Sequence, residues 1–432
     1  MNREILRLAV PNILSNISVP LLSTVDTALM GRLTELHLGA VGLGAMIFNF
    51  IYWNFGFLRM GTTGMAAQGY GADDAKAIAA TLGRALLVAL ILAGLILLFQ
   101  RPLAELSFRL LNVTEAQLPL VREYVFIRIW AAPATLGTYV LFGWLFGMQN
   151  AIYPLVLTVF SNLVNMLLSW YLVHERGMET AGVAYGTLIA QYAGFLLAAG
   201  LVAYKYRDYL RMIHLKLLLQ WQALRQFLSV NSDLFIRTFC LTFSFGFFYS
   251  RSALDGAMVL AVNVILLQFL NWMSYGVDGF AYAAESLVGK YAGKKDQAQT
   301  MAMIRRSFVW GMGLAAFYTL LYGLAGNPLL RIFTDQPDVI TAAQPFLFWM
   351  ALFPLLSTPC YIWDGIFIGL VASKAMRNSM ILALAVFLLA YYPLQSQWGN
   401  HGLWAALLIF MIARGAIMQW VFDREKMVGG AG

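Results

Sequence analysis

Long apolar stretches alternate along the chain with short polar breaks. A membrane-crossing helix needs about 20 mostly apolar residues. Six such stretches lie near 8–30, 40–69, 77–100, 120–146, 153–173 and 180–204, and six more near 228–250, 256–289, 300–324, 341–371, 377–395 and 402–421. Between the two sets lies KYRDYLRMIHLKLLLQWQALRQF, which carries Lys205, Arg207, Arg211, Lys216 and Arg225. Its apolar residues recur at helical spacing, so it predicts an amphipathic helix lying on the membrane surface. The pattern predicts an all-α polytopic membrane protein of 12 transmembrane helices in two pseudo-symmetric six-helix bundles. Residues 1–204 form the N-lobe, 205–227 a cytoplasmic linker and 228–432 the C-lobe.

The two halves repeat. Gln68-Gly69-Tyr70-Gly71 follows the second stretch of the first half, and Gly289-Lys290-Tyr291-Ala292 follows its counterpart. Tyr70 and Tyr291 stand 221 residues apart, as do Arg84 and Arg305, and Pro133 and Pro354. Gly143-x-x-x-Gly147 matches Gly365-x-x-x-Gly369 at a spacing of 222. An even number of spans per unit gives both halves the same orientation, as in transporters that bind substrate between or within such halves.

Composition names the solvent. Hydrophobic residues make up 60% of the 432 residues and charged residues 12%, about half the charged share of a soluble protein. Mean hydropathy is +0.70. Disorder is excluded, and lipid is the natural surrounding. The net charge of +8 comes from loops. With the N-terminus inside, 18 Lys/Arg fall on the cytoplasmic side and seven outside. That bias predicts an orientation with both termini cytoplasmic, and it leaves no reason to invoke nucleic acid. Cys240 and Cys360 both lie in apolar stretches, so no disulfide framework is expected.

No nucleotide-binding, zinc-binding or nucleophile motif is present. His37, His174, His214 and His401 fall in loops, the linker or helix ends. An enzyme, a metal site and a bound cofactor are not expected, and any uphill transport must draw on an ion gradient. The informative residues are ionisable groups inside spans: Asp26, Arg59, Arg128, Asp233, Arg237, Asp278, Glu285, Asp364 and Arg414. Each costs roughly 2.5–3.5 kcal/mol to insert at mid-membrane, so each needs a partner or a watery cavity. Asp233 and Arg237 are four apart and suit an ion pair on one helix face. Asp278 and Asp364 are candidates for an ion or substrate site, unless Arg59 or Arg237 neutralises them.

Asp26 stands out because its helix also carries Pro11 and Pro20, each of which removes a helix hydrogen bond and creates a bend point. A low-dielectric site favours the neutral form of a carboxylic acid, which lets it exchange a proton. The alternative is an acid near the outer helix end that merely caps or meets water. Asn162, Asn165 and Ser169 share one face of helix 5, and helix 6 adds Thr187 and Gln191. Either these are interhelical hydrogen bonds or they form a polar network around Asp26. The Phe, Trp, Tyr and Met content suits membrane-interface belts or a chamber for flat, greasy cations.

Pro11, Pro-Leu-Leu-x-x-Val-Asp-Thr-Ala at 20–28, Phe57-Leu58-Arg59-Met60-Gly61-Thr62-Thr63-Gly64, Ala67-Gln68, Asp278-Gly279-Phe280-Ala281-Tyr282 and Asp364-Gly365-x-Phe-Ile-Gly together resemble the multidrug and toxic compound extrusion (MATE) family, and within it the bacterial DinF branch. The resemblance covers nearly the whole chain. It implies a V-shaped, monomeric transporter in the bacterial inner membrane, exporting hydrophobic organic cations against an inward flow of protons or sodium. It makes Asp26 the proton-coupling residue and Pro11 the bend of helix 1. It maps the helix-5 asparagine to Asn165 and the helix-6 threonine to Thr187. Many relatives carry an aspartate four residues after that asparagine, where this chain has Ser169, so Asp26 is expected to act more nearly alone. Asp364 roughly matches one sodium-coupling acid of another branch, without a full set around it. The rivals are a flippase for lipid-linked precursors, which wants a convergent cationic cavity, and a passive channel.

Overall fold

In lipid, backbone N–H and C=O groups have no water to bond, so spanning segments satisfy them internally as helices. The computed structural model describes residues 1–18, 34–425 and 427–428, and it places twelve long helices there, with no strand among the described residues. They are α1 (Asn2–Met30), α2 (Glu35–Gly71), α3 (Ala75–Leu98), α4 (Leu118–Gly147), α5 (Ile152–Glu175) and α6 (Glu179–Lys205), then α7 (Trp221–Leu254), α8 (Ala257–Gly293), α9 (Gln297–Phe333), α10 (Pro337–Gly369), α11 (Ser373–Trp398) and α12 (Asn400–Glu425). Ten of them are long and apolar enough to cross a membrane by length and composition. Their outer surfaces are greasy: Leu324 and Leu389 are 86% and 76% exposed, as lipid-facing side chains should be.

Residues divide into two compact units, Leu14–Leu228 and Met1–Ile13 with Ser229–Gly432. The division falls inside α1 just after Pro11, so the first turns of α1 belong with the C-terminal helices. There Ile5, Leu8 and Ala9 are buried, Glu4 accepts from the Tyr291 hydroxyl at 3.0 Å, and Arg306 donates to Asn2 at 3.0 Å.

Each unit repeats the other's internal plan. In one, α4 packs against α2, α3 and α6. In the other, α10 packs against α8, α9 and α12. Lipid tails are as apolar as leucine, so helices associate by close van der Waals approach through small residues. A Cβ on Gly143 would collide with the Arg59 carbonyl, and one on Gly365 with the Ala281 carbonyl. A Cβ on Gly147 would sit 3.0 Å from the Thr63 carbonyl oxygen, and one on Gly369 2.6 Å from that of Glu285. Each pair of contacts is 222 residues apart. The same spacing relates Asp74 and Asp296, which cap α3 and α9 by accepting from Ala77 and Gln299, and the left-handed residues Asp73 and Lys295 just before them. The geometric register is therefore 222, and the identities at 221 are one position out of step. Arg306, not Arg305, is the counterpart of Arg84. Identity matching finds the same letter nearby, whereas caps and backbone contacts fix the position.

The 205–227 segment is not a single amphipathic helix. Two single turns, Arg207–Arg211 and Leu215–Leu218, precede α7. Arg84 of α3 donates to the carbonyls of Leu217 and Leu218 at 2.7 and 3.2 Å, and Tyr206 and Tyr209 set their rings edge-on to Trp144. These bonds satisfy carbonyls that a continuous helix would have used internally.

Candidate functional site

In the N-terminal unit, polar groups line the facing sides of α1, α5 and α6. The hydroxyl of Ser15 donates to Thr158 at 3.0 Å. One turn further, Asn162 donates to the side-chain and main-chain oxygens of Ser18 at 3.3 and 3.4 Å. Asn165 donates to the Thr187 hydroxyl at 2.9 Å, and that hydroxyl donates to the Val183 carbonyl at 3.0 Å. Asn165, Ser169 and Thr187 are all buried. Gly186 and Gly194 of α6 let α5 approach closely, because a Cβ on either would strike Ser169 or Ser161.

Two groups in this stripe are left over. The Asn165 Oδ1 and Ser169 Oγ atoms are buried and have no hydrogen-bond partner among the described residues. A buried polar atom in this state costs about 1–3 kcal/mol, so such a pair marks a place where something else binds or moves. Gln191 is half-buried on the next turn of α6. Asp26 and Pro20, singled out from sequence, lie outside the described residues. Pro11 is half-buried within α1, which continues through it.

The C-terminal unit handles its polar groups differently. Asp364 of α10 accepts through Oδ2 from both Arg237 of α7 and Arg414 of α12, the latter at 2.7 Å. All three are buried. Arg414 also lies over the Phe410 ring at 5.5 Å. Asp364 Oδ1 and the Nε atoms of both arginines have no partner. Asp278 and Asp364 both act electrostatically on Tyr361 of α10, so the two acids share one neighbourhood.

The expected Asp233–Arg237 pair is not formed. Asp233 instead accepts from Arg377 at 2.5 Å and from Ser373 at 2.9 Å, while Arg237 turns to Asp364. Spacing of four makes an intrahelical pair possible, but charged and polar partners on α10 and α11 take both residues instead. Sequence reading also missed Ser15, Ser18 and Thr158. The signal was available, since Thr158, Asn162, Asn165 and Ser169 recur at four, three and four residues along α5. No group of three or more His, Cys, Asp or Glu side chains able to hold a metal occurs among the described residues.

Comparison with known proteins shows the family and the fold. The family model described as MatE matches twice, over residues 11–171 and 235–394, which again marks the duplication. The chain is 37% identical to DNA damage-inducible protein F of Escherichia coli (strain K12), over 98% of this chain and 92% of that protein. It is 23% identical to a probable multidrug resistance protein NorM of Thermotoga maritima, over 80% of this chain and 75% of that protein. The crystal structure of MATE in the bent conformation superposes with a TM-score of 0.89 at 19% identity, covering 99% of this chain and 95% of that one. That likeness shows the fold.

Proposed function

The chain belongs to the MatE family of multidrug and toxic-compound efflux transporters, and we propose that it is a proton-coupled exporter of hydrophobic organic cations working through its N-terminal lobe. The observation that carries this reading is the buried Asn165 Oδ1, with the buried Ser169 hydroxyl beyond it on α5, neither partnered among the described residues. Counting three helical turns along each helix from the Ser15–Thr158 bond gives Asp26 on α1 and Ser169 on α5. A protonated carboxylic acid at position 26 is a donor that Asn165 Oδ1 lacks, and a carboxylate is not.

The proposed cycle follows from that difference. Substrate sits in the N-terminal lobe while Asp26 is ionised. A proton from outside neutralises Asp26, changes its hydrogen bonds toward Asn165, Thr187 and Asn162, and lets α1 bend near Pro11, so that substrate leaves. The proton is released inward after the transporter turns over. A proton drives this only by binding one conformer better than the other. The unit division beside Pro11 suits a bend at that point. With Ser169 in place of a second acid, Asp26 acts nearly alone. Sodium is the weaker alternative, because Asp364, the acid that would serve it, already carries two guanidiniums. A lipid-precursor flippase is weaker too, because Arg237 and Arg414 are already bound to Asp364. A monomer in the bacterial inner membrane with both termini cytoplasmic completes the reading, the orientation resting on loop charge. The test is drug resistance of cells carrying Asp26→Asn: sensitivity to ethidium-like cations is expected, and wild-type resistance would exclude Asp26 as the coupling group.

A further inference from the structure

The segment from Lys205 to Gln220, which leads out of α6 toward α7, has two unlike faces. One is anchored to α3 and α4. Tyr206 and Tyr209 meet Trp144 with ring centres 5.0 and 6.0 Å apart, and Asn150 donates to the Tyr206 hydroxyl at 3.2 Å. Ile213 and Leu218 fill the space over Gly83. Together with the two carbonyls held by Arg84, these contacts fix which way the segment faces. The other face is exposed and carries Lys205, Arg207, Arg211 and Lys216, with Arg225 just beyond on α7. Asp208 is the one acid of this stretch. It lies 3.9 Å from Arg207 and 3.7 Å from Arg211, and all three side chains are at least 70% exposed.

Ion pairs so open to water bind weakly, so most of this positive charge stays available to a partner. The Lys205 ammonium lies 4.9 Å from the Tyr153 ring and 5.6 Å from the Tyr206 ring, which steadies it without neutralising it. Leu215, Leu219 and Trp221 are exposed on the same stretch. It lies where α6 ends and α7 begins, at the level where spanning helices leave the hydrocarbon. Basic side chains reach headgroup phosphates from such a place, while leucine and tryptophan enter the acyl boundary. Clustered Lys and Arg beside a span attract acidic lipids. We propose that this face binds acidic phospholipid, its headgroups held by Lys205, Arg207, Arg211 and Lys216 and its acyl chains against Leu215, Leu219 and Trp221. The surface is separate from the polar stripe of α1, α5 and α6, so it stands or falls independently of the exporter reading.

The test uses the full chain in phosphatidylcholine nanodiscs that contain a minority of brominated phosphatidylglycerol. A fluorophore is attached through Gln222→Cys, an exposed position beside Trp221; the two native cysteines are buried. Quenching by bromine reads how strongly phosphatidylglycerol is enriched at the segment over brominated phosphatidylcholine at the same fraction. Enrichment of about fivefold or more is expected. Lys205→Gln, Arg207→Gln and Arg211→Gln together should bring it near parity. Arg3→Gln, Lys294→Gln and Lys295→Gln, which remove three exposed charges from the other unit, should leave it unchanged. All six positions are exposed, so the fold is not at stake. Trp221→Gln should weaken quenching by both lipids. No enrichment in the otherwise unaltered chain, or an equal loss in the two triple variants, would overturn the proposal. So would reversal of the quenching by soluble glycerol phosphate, because the site would then take a free phosphate rather than a lipid.

Discussion

The polar stripe of α1, α5 and α6 and the ion cluster of α7, α10 and α12 sit in two copies of one helix plan. In the stripe, amides and hydroxyls bond one another weakly and leave Asn165 Oδ1 and Ser169 Oγ without partners among the described residues. In the cluster, one carboxylate oxygen holds two guanidiniums. Neutral dipoles with spare acceptors can gain or lose a proton donor at modest cost. A desolvated carboxylate between two cations cannot, since releasing it would leave both arginines uncompensated. Duplication thus supplied two similar scaffolds, and side-chain choice put neutral dipoles in one and a buried ion cluster in the other.

The sharpest way to break this contrast is to remove the acid of the cluster. Asp364→Asn should lower unfolding stability in detergent by about 3–5 kcal/mol, because two buried guanidiniums lose their counter-charge. A loss below 1 kcal/mol would mean that the cluster is not fixed. Replacing all three charges together, with Asp364→Leu, Arg237→Met and Arg414→Met, should recover most of that loss.

Next come the glycines that the lobes share. Gly143→Ala and Gly365→Ala each push a Cβ onto a backbone carbonyl and should each cost about 1–3 kcal/mol. Gly94→Ala meets open space and should change thermal stability by less than about 0.5 kcal/mol. Unequal costs at Gly143 and Gly365 would show that the scaffolds are less alike than their contacts suggest.

Smaller effects probe the stripe itself. Thr187→Val deletes the acceptor of Asn165 and should cost about 1 kcal/mol of stability. Ser169→Ala removes a hydroxyl with no partner among the described residues and should be the mildest change, within about 0.5 kcal/mol of neutral. Ser169→Asp is the informative companion: a second acid on α5 should alter the pH dependence of export, and an unchanged profile would separate Ser169 from the proton site.

Much of the fold is legible in the chain because apolar length and glycine spacing are local properties. The twelve helices, the midpoint and the paired Gly-x-x-x-Gly motifs all follow from them. The ion cluster is not local: Asp364 meets residues 127 and 50 positions away, and sequence spacing instead suggested the false Asp233–Arg237 pair. The stripe was half legible, since its α5 residues fall at helical intervals, but the hydroxyls of Ser15 and Ser18 look like ordinary polar letters until α1 and α5 are set side by side. The linker misled because its apolar period is real. Its leucines follow helical spacing, but only in two separate turns, and the last carbonyls of the second turn go to Arg84.

The account turns on where the coupling ion acts, and purified protein in sealed liposomes decides it. A cationic dye is loaded, and a proton gradient or a sodium gradient is imposed by itself. The proton gradient should drive dye uphill in wild type and in Asp364→Asn that has remained folded, and not in Asp26→Asn, with sodium giving nothing. Uphill transport driven by sodium alone and abolished by Asp364→Asn would contradict the account.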